Sequence, residues 1–416
     1  MENRNPLEPS GRNRTYILLT ITIFSAYFIF GFADSVRGPA IPRIQADLVA
    51  SEFRIALLLT MNSVGYLIAC SYTAALAKKI SMKGCAITAL LVVAVSGLFI
   101  CYSPGFWALV LAFFIANLGF GMMEISLGVI SAATFTKNTG TMLNLVHFFY
   151  GAGAVFSPVL SIRMMAARFG DNLLGWRYSY LIIFSFALVP ALLALIVRLK
   201  KQDYDKKKTG YAVLLKKPAI WLIIVILAFG VTCEIGSVAW LVNFLEKAYF
   251  FSKERAALQL TLFFIGFTAS RLIMGPIIDR IGFINSLIVA TFFAGTAITA
   301  GVLLGETGAP LLVMTGIGIS LVFPTMMAVT AKLFADEIDL AITAVTTAMG
   351  VIMVPANLMV GIIINQTRPV FNSLFGDAGV RLAYSAGYLF IGLCSFGAFV
   401  FLLLLRRRQK KAGQLV

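Results

Sequence analysis

The chain predicts an all-α membrane protein of twelve transmembrane helices in two pseudo-symmetric six-helix bundles, and three observations carry that expectation. Its 416 residues are 60% hydrophobic and only 12% charged, whereas soluble globular proteins carry about 25% charged residues. The apolar residues gather in runs of about 20 or more, the length a helix needs to cross the hydrocarbon core. One long polar stretch, RLKKQDYDKKKTGYAVLLKK at 198–217, divides those runs six and six.

The elements follow in order. Residues 1–14, MENRNPLEPSGRNR, are polar and lack a cleavable signal pattern, so the first apolar run is expected to remain as a helix. That run covers 15–37, and RGPAIP is expected to break it. Spans at 54–77 and 84–103 flank the basic turn AKKISMKG, and spans at 106–135, 140–165 and 178–199 complete an N-terminal bundle, 15–199. A charged linker, 200–217, leads into a C-terminal bundle, 218–405, with spans at 218–245, 256–278, 283–304, 310–334, 339–365 and 380–405. A basic tail, 406–416, closes the chain. The halves echo each other: the first span of each carries an acid near small residues, FADSV at Asp34 and CEIGS at Glu234, and each second loop is short and basic.

An even number of spans puts both termini on one side. That side gathers 22 Lys and Arg against 11 on the other, with Arg271 left inside a span. The twofold bias makes it the cytoplasmic side. The net charge of +16 is thus accounted for by loop clusters, and nucleic acid is not an expected partner. Five cysteines without a C-x-x-C, all in apolar surroundings, read as buried small hydrophobes, and a single histidine excludes a histidine metal cluster. The N-x-T matches at 13–15 and 365–367 are a pattern common by chance. No G-x-x-x-x-G-K-[ST] loop is present to bind ATP, so an ion gradient is the expected energy source.

Charges inside spans cost about 2.5 kcal/mol or more each, and they mark ion and proton routes. Here they are Asp34, Arg37, Glu124, His147, Arg163, Glu234 and Arg271. Glu124 sits in GFGMMEISLG, with Asn117, Gly121 and Gly128 at helical spacings on one face. It reads either as a structural buried acid or as a carboxyl that is neutral when buried and charged when wetted. The second kind binds and releases a proton as access alternates. Asp34 and Arg37 are three apart and positioned to pair, as an ion pair at the helix mouth or as a regulated coupling acid. Glu234, Trp240 and Asn243 offer an acid, an indole and an amide, suited to a sugar ring, although Trp240 fits a packing role equally. Asn144, His147 and Gly151 share a face, with Tyr150 beside it. Arg163 and Arg271 lie near span ends, where such side chains snorkel.

GPIIDRIG, with Gly275, Asp279, Arg280 and Gly282, resembles the G-x-x-x-D-R-x-G signature of major facilitator transporters, in which this helix-end motif helps lock one conformation; Arg271 lies just before it. The matching loop AALAKKISMKG lacks the aspartate. LGFGMMEISLG, LNLVHFFYGAGA, SRLIMGPIIDRIG and GISLVFPTMMAVTAKL, in this order, resemble the fucose:proton symporter family, with its fucose, glucose and galactose transporters. The resemblance implies two bundles with a substrate site between them near the midplane. It implies proton-linked roles for Asp34 and Glu124. It puts His147 and Tyr150 on cavity-lining positions, and Glu234 on the helix-7 acid of the glucose-transporting relatives. FGFA at 30–33 lacks the asparagines that flank the aspartate in the fucose symporter, and Arg37 replaces an apolar residue, leaving room for an anionic substrate.

The resulting expectation is a proton-coupled secondary transporter, not an enzyme, without a cofactor. It would import a sugar or similar polar solute across a plasma membrane, as in a bacterial inner membrane, and act as a monomer. Its partners are the sugar-like solute, protons and the lipid bilayer. A proton-driven exporter of drugs or amphipathic compounds, an organic-anion transporter, and a receptor or scaffold are the alternatives.

Overall fold

A computed structural model describes residues 12–135, 139–170, 172–197, 214–334 and 338–411. The expected linker up to residue 213, most of the N-terminal segment and the last five residues lie outside these. The first seven helices are α1 (Arg12–Ser35), α2 (Arg37–Asp47), α3 (Glu52–Cys101), α4 (Phe106–Thr134), α5 (Thr139–Ala166), α6 (Gly175–Ser185) and α7 (Leu188–Ile196). After the linker come α8 (Pro218–Ala248), α9 (Lys253–Ile273), α10 (Gly275–Ile281), α11 (Phe283–Leu303), α12 (Ala309–Ile319), α13 (Val322–Leu333), α14 (Ile338–Phe375) and α15 (Ala378–Lys411). A two-residue antiparallel ladder, Arg168–Phe169 against Asn172–Leu173, is the strand content of the described residues.

Eleven helical stretches among the described residues are long and apolar enough to cross a membrane. One of them, α3, has 50 residues and breaks at Ser81, where φ is 70° and ψ 163°. At 1.5 Å per residue it is about twice the length of one crossing. Divided at Ser81, it restores the twelve spans. The second half turns at the corresponding place through Gly282, with φ 89° and ψ 147°. This backbone region is essentially restricted to glycine. Ser81 holds it while its Oγ accepts the N–H of Gly84 at 3.2 Å.

One expectation is corrected. RGPAIP does not end the first helix: only Val36 interrupts it, and α2 continues with Pro42 inside. Ala40 N–H still donates to the Val36 carbonyl at 3.1 Å, which keeps the turn helical across the break. The eleventh span also runs further than expected, to Phe375.

Contacts divide the chain into two compact units. The first takes Met1–Ala40 and Met61–Lys207; the second takes Ile41–Thr60 and Lys208–Val416. In the first, α1 packs lengthwise on α5. Glycine makes this possible: a Cβ on Gly31 would stand 1.9 Å from the Tyr150 carbonyl oxygen, and one on Gly153 would stand 2.0 Å from that of Phe28. In the second, α8 is packed by α9, α14 and α15. Hydroxyls inside the spans bond back to their own helix, as Thr73 does to Ala69 at 2.6 Å and Thr330 to Met326 at 2.8 Å. An apolar interior leaves them few other partners.

Candidate functional site

The first unit concentrates its polar side chains around Asp34 and Glu124. Asp34 lies in the last turn of α1, and its Oδ2 accepts from Arg37 Nη2 at 3.1 Å and from the Tyr150 hydroxyl of α5 at 3.0 Å. Asp34 and Arg37 are each 16% exposed at the side chain, so the pair is screened from bulk water without being sealed. Arg37 Nε is buried without a hydrogen-bond partner, so the guanidinium retains unused donor capacity.

Glu124 lies half-buried on α4. The flanking glycines do what close approach requires. A Cβ on Gly121 would meet the Tyr66 carbonyl oxygen at 2.5 Å, and one on Gly128 would lie 3.9 Å from the Tyr27 hydroxyl. Cys70, on the same side, donates its thiol to the Gly121 carbonyl at 3.7 Å. Tyr66 of α3 is within electrostatic range of Glu124, Tyr150 and Asp34 together, and Tyr27 is within range of Glu124. His147 is exposed, and its ring meets Tyr27 edge-on at 5.7 Å between centroids. Tyr66, whose carbonyl backs Gly121, and Tyr27, beside Gly128 and His147, thus both stand against the Glu124 stretch of α4. Neither carries a formal charge at neutral pH, which is why a search for intramembrane charge passes over them. Asn117 is buried and donates Nδ2 to the Phe113 carbonyl of its own helix at 2.9 Å. Asn144 lies on α5.

The second unit holds a matching acid–arginine pair. Glu234 of α8 and Arg271 of α9 approach to 3.8 Å, at 20% and 23% side-chain exposure. Arg271 does not snorkel. Its Nε donates to the Ser320 carbonyl at 3.1 Å, and its guanidinium lies 4.2 Å from the Phe267 ring centroid. Trp240 is 1% exposed with no partner for Nε1, and Asn243 is fully buried, donating Nδ2 to Gln45 Oε1 at 3.1 Å. Glu234 is therefore brought together with Arg271, while Trp240 and Asn243 are packed into the unit's interior. Of the signature residues, Gly275, Asp279 and Arg280 lie in α10, with Arg280 exposed, and Gly282 makes the left-handed turn into α11. Exposed Arg163 closes α5. Among the described residues no group of His, Cys, Asp and Glu is arranged to hold a metal.

The family profile of the Major Facilitator Superfamily matches residues 23–354, most of the chain. The chain belongs to the major facilitator superfamily. No curated protein matches it in sequence. Among solved structures, a bacterial homologue of the human lysosomal transporter Spinster, in an inward-facing and unoccupied conformation, is 14% identical with a TM-score of 0.75, covering 98% of this chain and 99% of that one. The E. coli fucose:proton symporter is 18% identical with a TM-score of 0.62, covering 94% and 99%. The nucleoside transporter NupG is 15% identical with a TM-score of 0.71, covering 92% and 100%. Identities this low speak to fold alone. This is a multi-pass membrane protein with the fold of a major facilitator transporter.

Proposed function

We propose that the protein is a proton-coupled secondary transporter that carries a sugar-like polar solute by alternating access. Both termini would be cytoplasmic, and the membrane a bacterial plasma membrane. The observation that carries this reading is the arrangement in the first unit: two carboxylates on different spans, one ion-paired and bonded to Tyr150, the other beside glycine-lined helix contacts with Tyr66 and Tyr27. A bilayer protein keeps such groups at a cost of about 2.5 kcal/mol or more apiece, and proton uptake and release is the use that fits carboxyls. Protonating Asp34 would release Arg37 and Tyr150 to bind other groups. Glu124 is the coupling acid of first choice and Asp34 the second. His147, Tyr150, Asn144, Glu234 and Arg37 are proposed for the solute wall, with Tyr150, His147 and Arg37 supported best by their exposure or partners; Asn117, Trp240 and Asn243, buried here, would join it only in another conformation. Gly275, Asp279, Arg280, Gly282 and Arg271 are proposed to act in switching conformation.

The fucose:proton symporter shares this fold, and the sugar and the proton are proposed by analogy with it. The two acid–arginine pairs keep an anionic solute as a second reading, because a guanidinium freed by protonation of its carboxylate suits a carboxylate ligand. A thermal-shift screen of purified protein against fucose, glucose, galactose, small organic acids and lipophilic cations separates these. Stabilisation by sugars is expected; stabilisation by lipophilic cations alone would replace this reading with an exporter.

A further inference from the structure

Where α8 begins and α15 ends, the second unit carries cations without acids. Lys216 and Lys217 lead into α8, and Arg407, Arg408 and Lys411 stand at the end of α15; all five are exposed. No Asp or Glu occurs between Asp205 and Glu234, or after Asp377. The two helices pack in antiparallel register. A Cβ on Gly397 would lie 3.1 Å from the Phe229 ring, and one on Gly236 would lie 3.3 Å from Ile391. Phe229 also stacks on Phe401, with centroids 5.9 Å apart. Continued toward the end of α15, this register sets Trp221 level with Leu405 and Arg406, and Lys216 and Lys217 level with Gln409 to Lys411.

The seam between them is filled at Gly397 and open at its end. Leu404, Arg408 and Lys411 continue the Gly397 stripe that faces α8, at helical steps. Yet Leu404 is 43% exposed, Val400 50% and Trp221 50%. Trp221 donates Nε1 to the Leu215 carbonyl at 2.9 Å, which holds the Lys216–Lys217 turn against the indole. Exposed apolar side chains therefore run directly up to a group of cations, with an indole where the two meet. Aromatic side chains of this kind mark the headgroup level of a bilayer. A soluble anion would neutralise the cations and leave the apolar stripe uncovered. An anionic phospholipid covers both: its phosphate accepts from Arg and Lys donors, and its chains lie along the spans.

We propose that the end of the α8–α15 seam is a binding site for an anionic phospholipid, its phosphate held by Lys216, Lys217, Arg408 and Lys411 and its chains laid over Trp221 and Leu404. The inference does not rest on the identity of the solute or on proton coupling.

The test uses the purified full-length protein in a neutral detergent. It is titrated with phosphatidylglycerol, phosphatidylcholine or glycerol 1-phosphate, and bound ligand is read by native mass spectrometry. Phosphatidylglycerol is expected to bind about tenfold or more tighter than phosphatidylcholine, and Arg408→Gln with Lys411→Gln to weaken it by about tenfold or more. The matched control is Lys332→Gln with Lys410→Gln, which removes the same charge on the α11 side of α15. Lys332 lies 4.2 Å from the ring of Phe283, the first residue of α11. Lys410 follows Gly392 and Phe396, which meet α11 at Ile298 and Gly295, by whole helical turns. This control pair is expected to change the affinity by less than about threefold, since its charges lie farther from the phosphate. Equal weakening by both pairs would reduce the site to general surface charge and overturn the proposal. So would unchanged affinity in Arg408→Gln with Lys411→Gln, or phosphatidylcholine binding as tightly as phosphatidylglycerol. Glycerol 1-phosphate binding as tightly as phosphatidylglycerol would overturn the lipid in favour of a soluble phosphate.

Discussion

Asp34 shows what a single residue reveals about this site. Its two partners come from the next helical turn and from a span 116 residues away. The pairing with Arg37 is legible in the sequence, because a three-residue spacing puts both on one helix face. The Tyr150 bond is not, since no local spacing joins α1 to α5. A screened ion pair loses more when one member is removed than when both are, because the survivor is left buried and uncompensated. Asp34→Asn alone is therefore expected to lower thermal stability more than Asp34→Asn with Arg37→Gln. A double-mutant cycle in thermal unfolding should give a coupling of about 1–3 kcal/mol; additive effects would mean the pair is already open to water. Tyr150→Phe, which removes a hydroxyl bonded to a carboxylate, should cost about 1.5–3 kcal/mol by the same measurement. Arg271 was legible only as a residue near a span end, and its partner Glu234, 37 positions earlier, gave it a different role.

At the scale of helices, glycine decides which spans come close enough to share polar groups. Gly31 and Gly153 let α1 and α5 touch at the backbone, and this contact is what brings Tyr150 to Asp34. Gly31→Ala should force the two helices apart and cost about 1–3 kcal/mol, as overpacking does. Gly105→Ala is the control: its Cβ meets nothing within 4 Å, and its φ of −176° suits any residue. Equal melting temperatures for the two variants would mean that the α1–α5 contact is not tight. The sequence displayed the glycines around Glu124 because three- and four-residue spacings are visible in one strand of text. It also displayed the twelve runs, since lipid demands them one at a time. The helical continuation through RGPAIP was hidden: Pro39 falls in the first turn of α2, where no N–H donor is needed, but Pro42 lies inside the helix, which persists past it. The partner of Glu52 was hidden more deeply. A charge at a span end looks like any loop charge until Arg368, 316 positions on, is seen beside it.

For the molecule as a whole, the halves repeat a plan and differ in chemistry. Each has an acid–arginine pair involving its first span and a left-handed turn after its second, at Ser81 and Gly282. Only the second half carries the full G-x-x-x-D-R-x-G signature; the first has Lys78 and Lys79 before Ser81 in place of the Asp–Arg pair. Glu124 likewise has no acid in the matching fourth span of the second half. The proposed coupling therefore rests on Glu124 of the first unit. The most direct measurement is solute accumulation in proteoliposomes, with an imposed inward proton gradient, using the solute that the thermal-shift screen selects. The wild-type protein should accumulate it only with the gradient, and Glu124→Gln should lose accumulation while retaining exchange. Accumulation that ignores the gradient, or that survives unchanged in Glu124→Gln, would contradict the account.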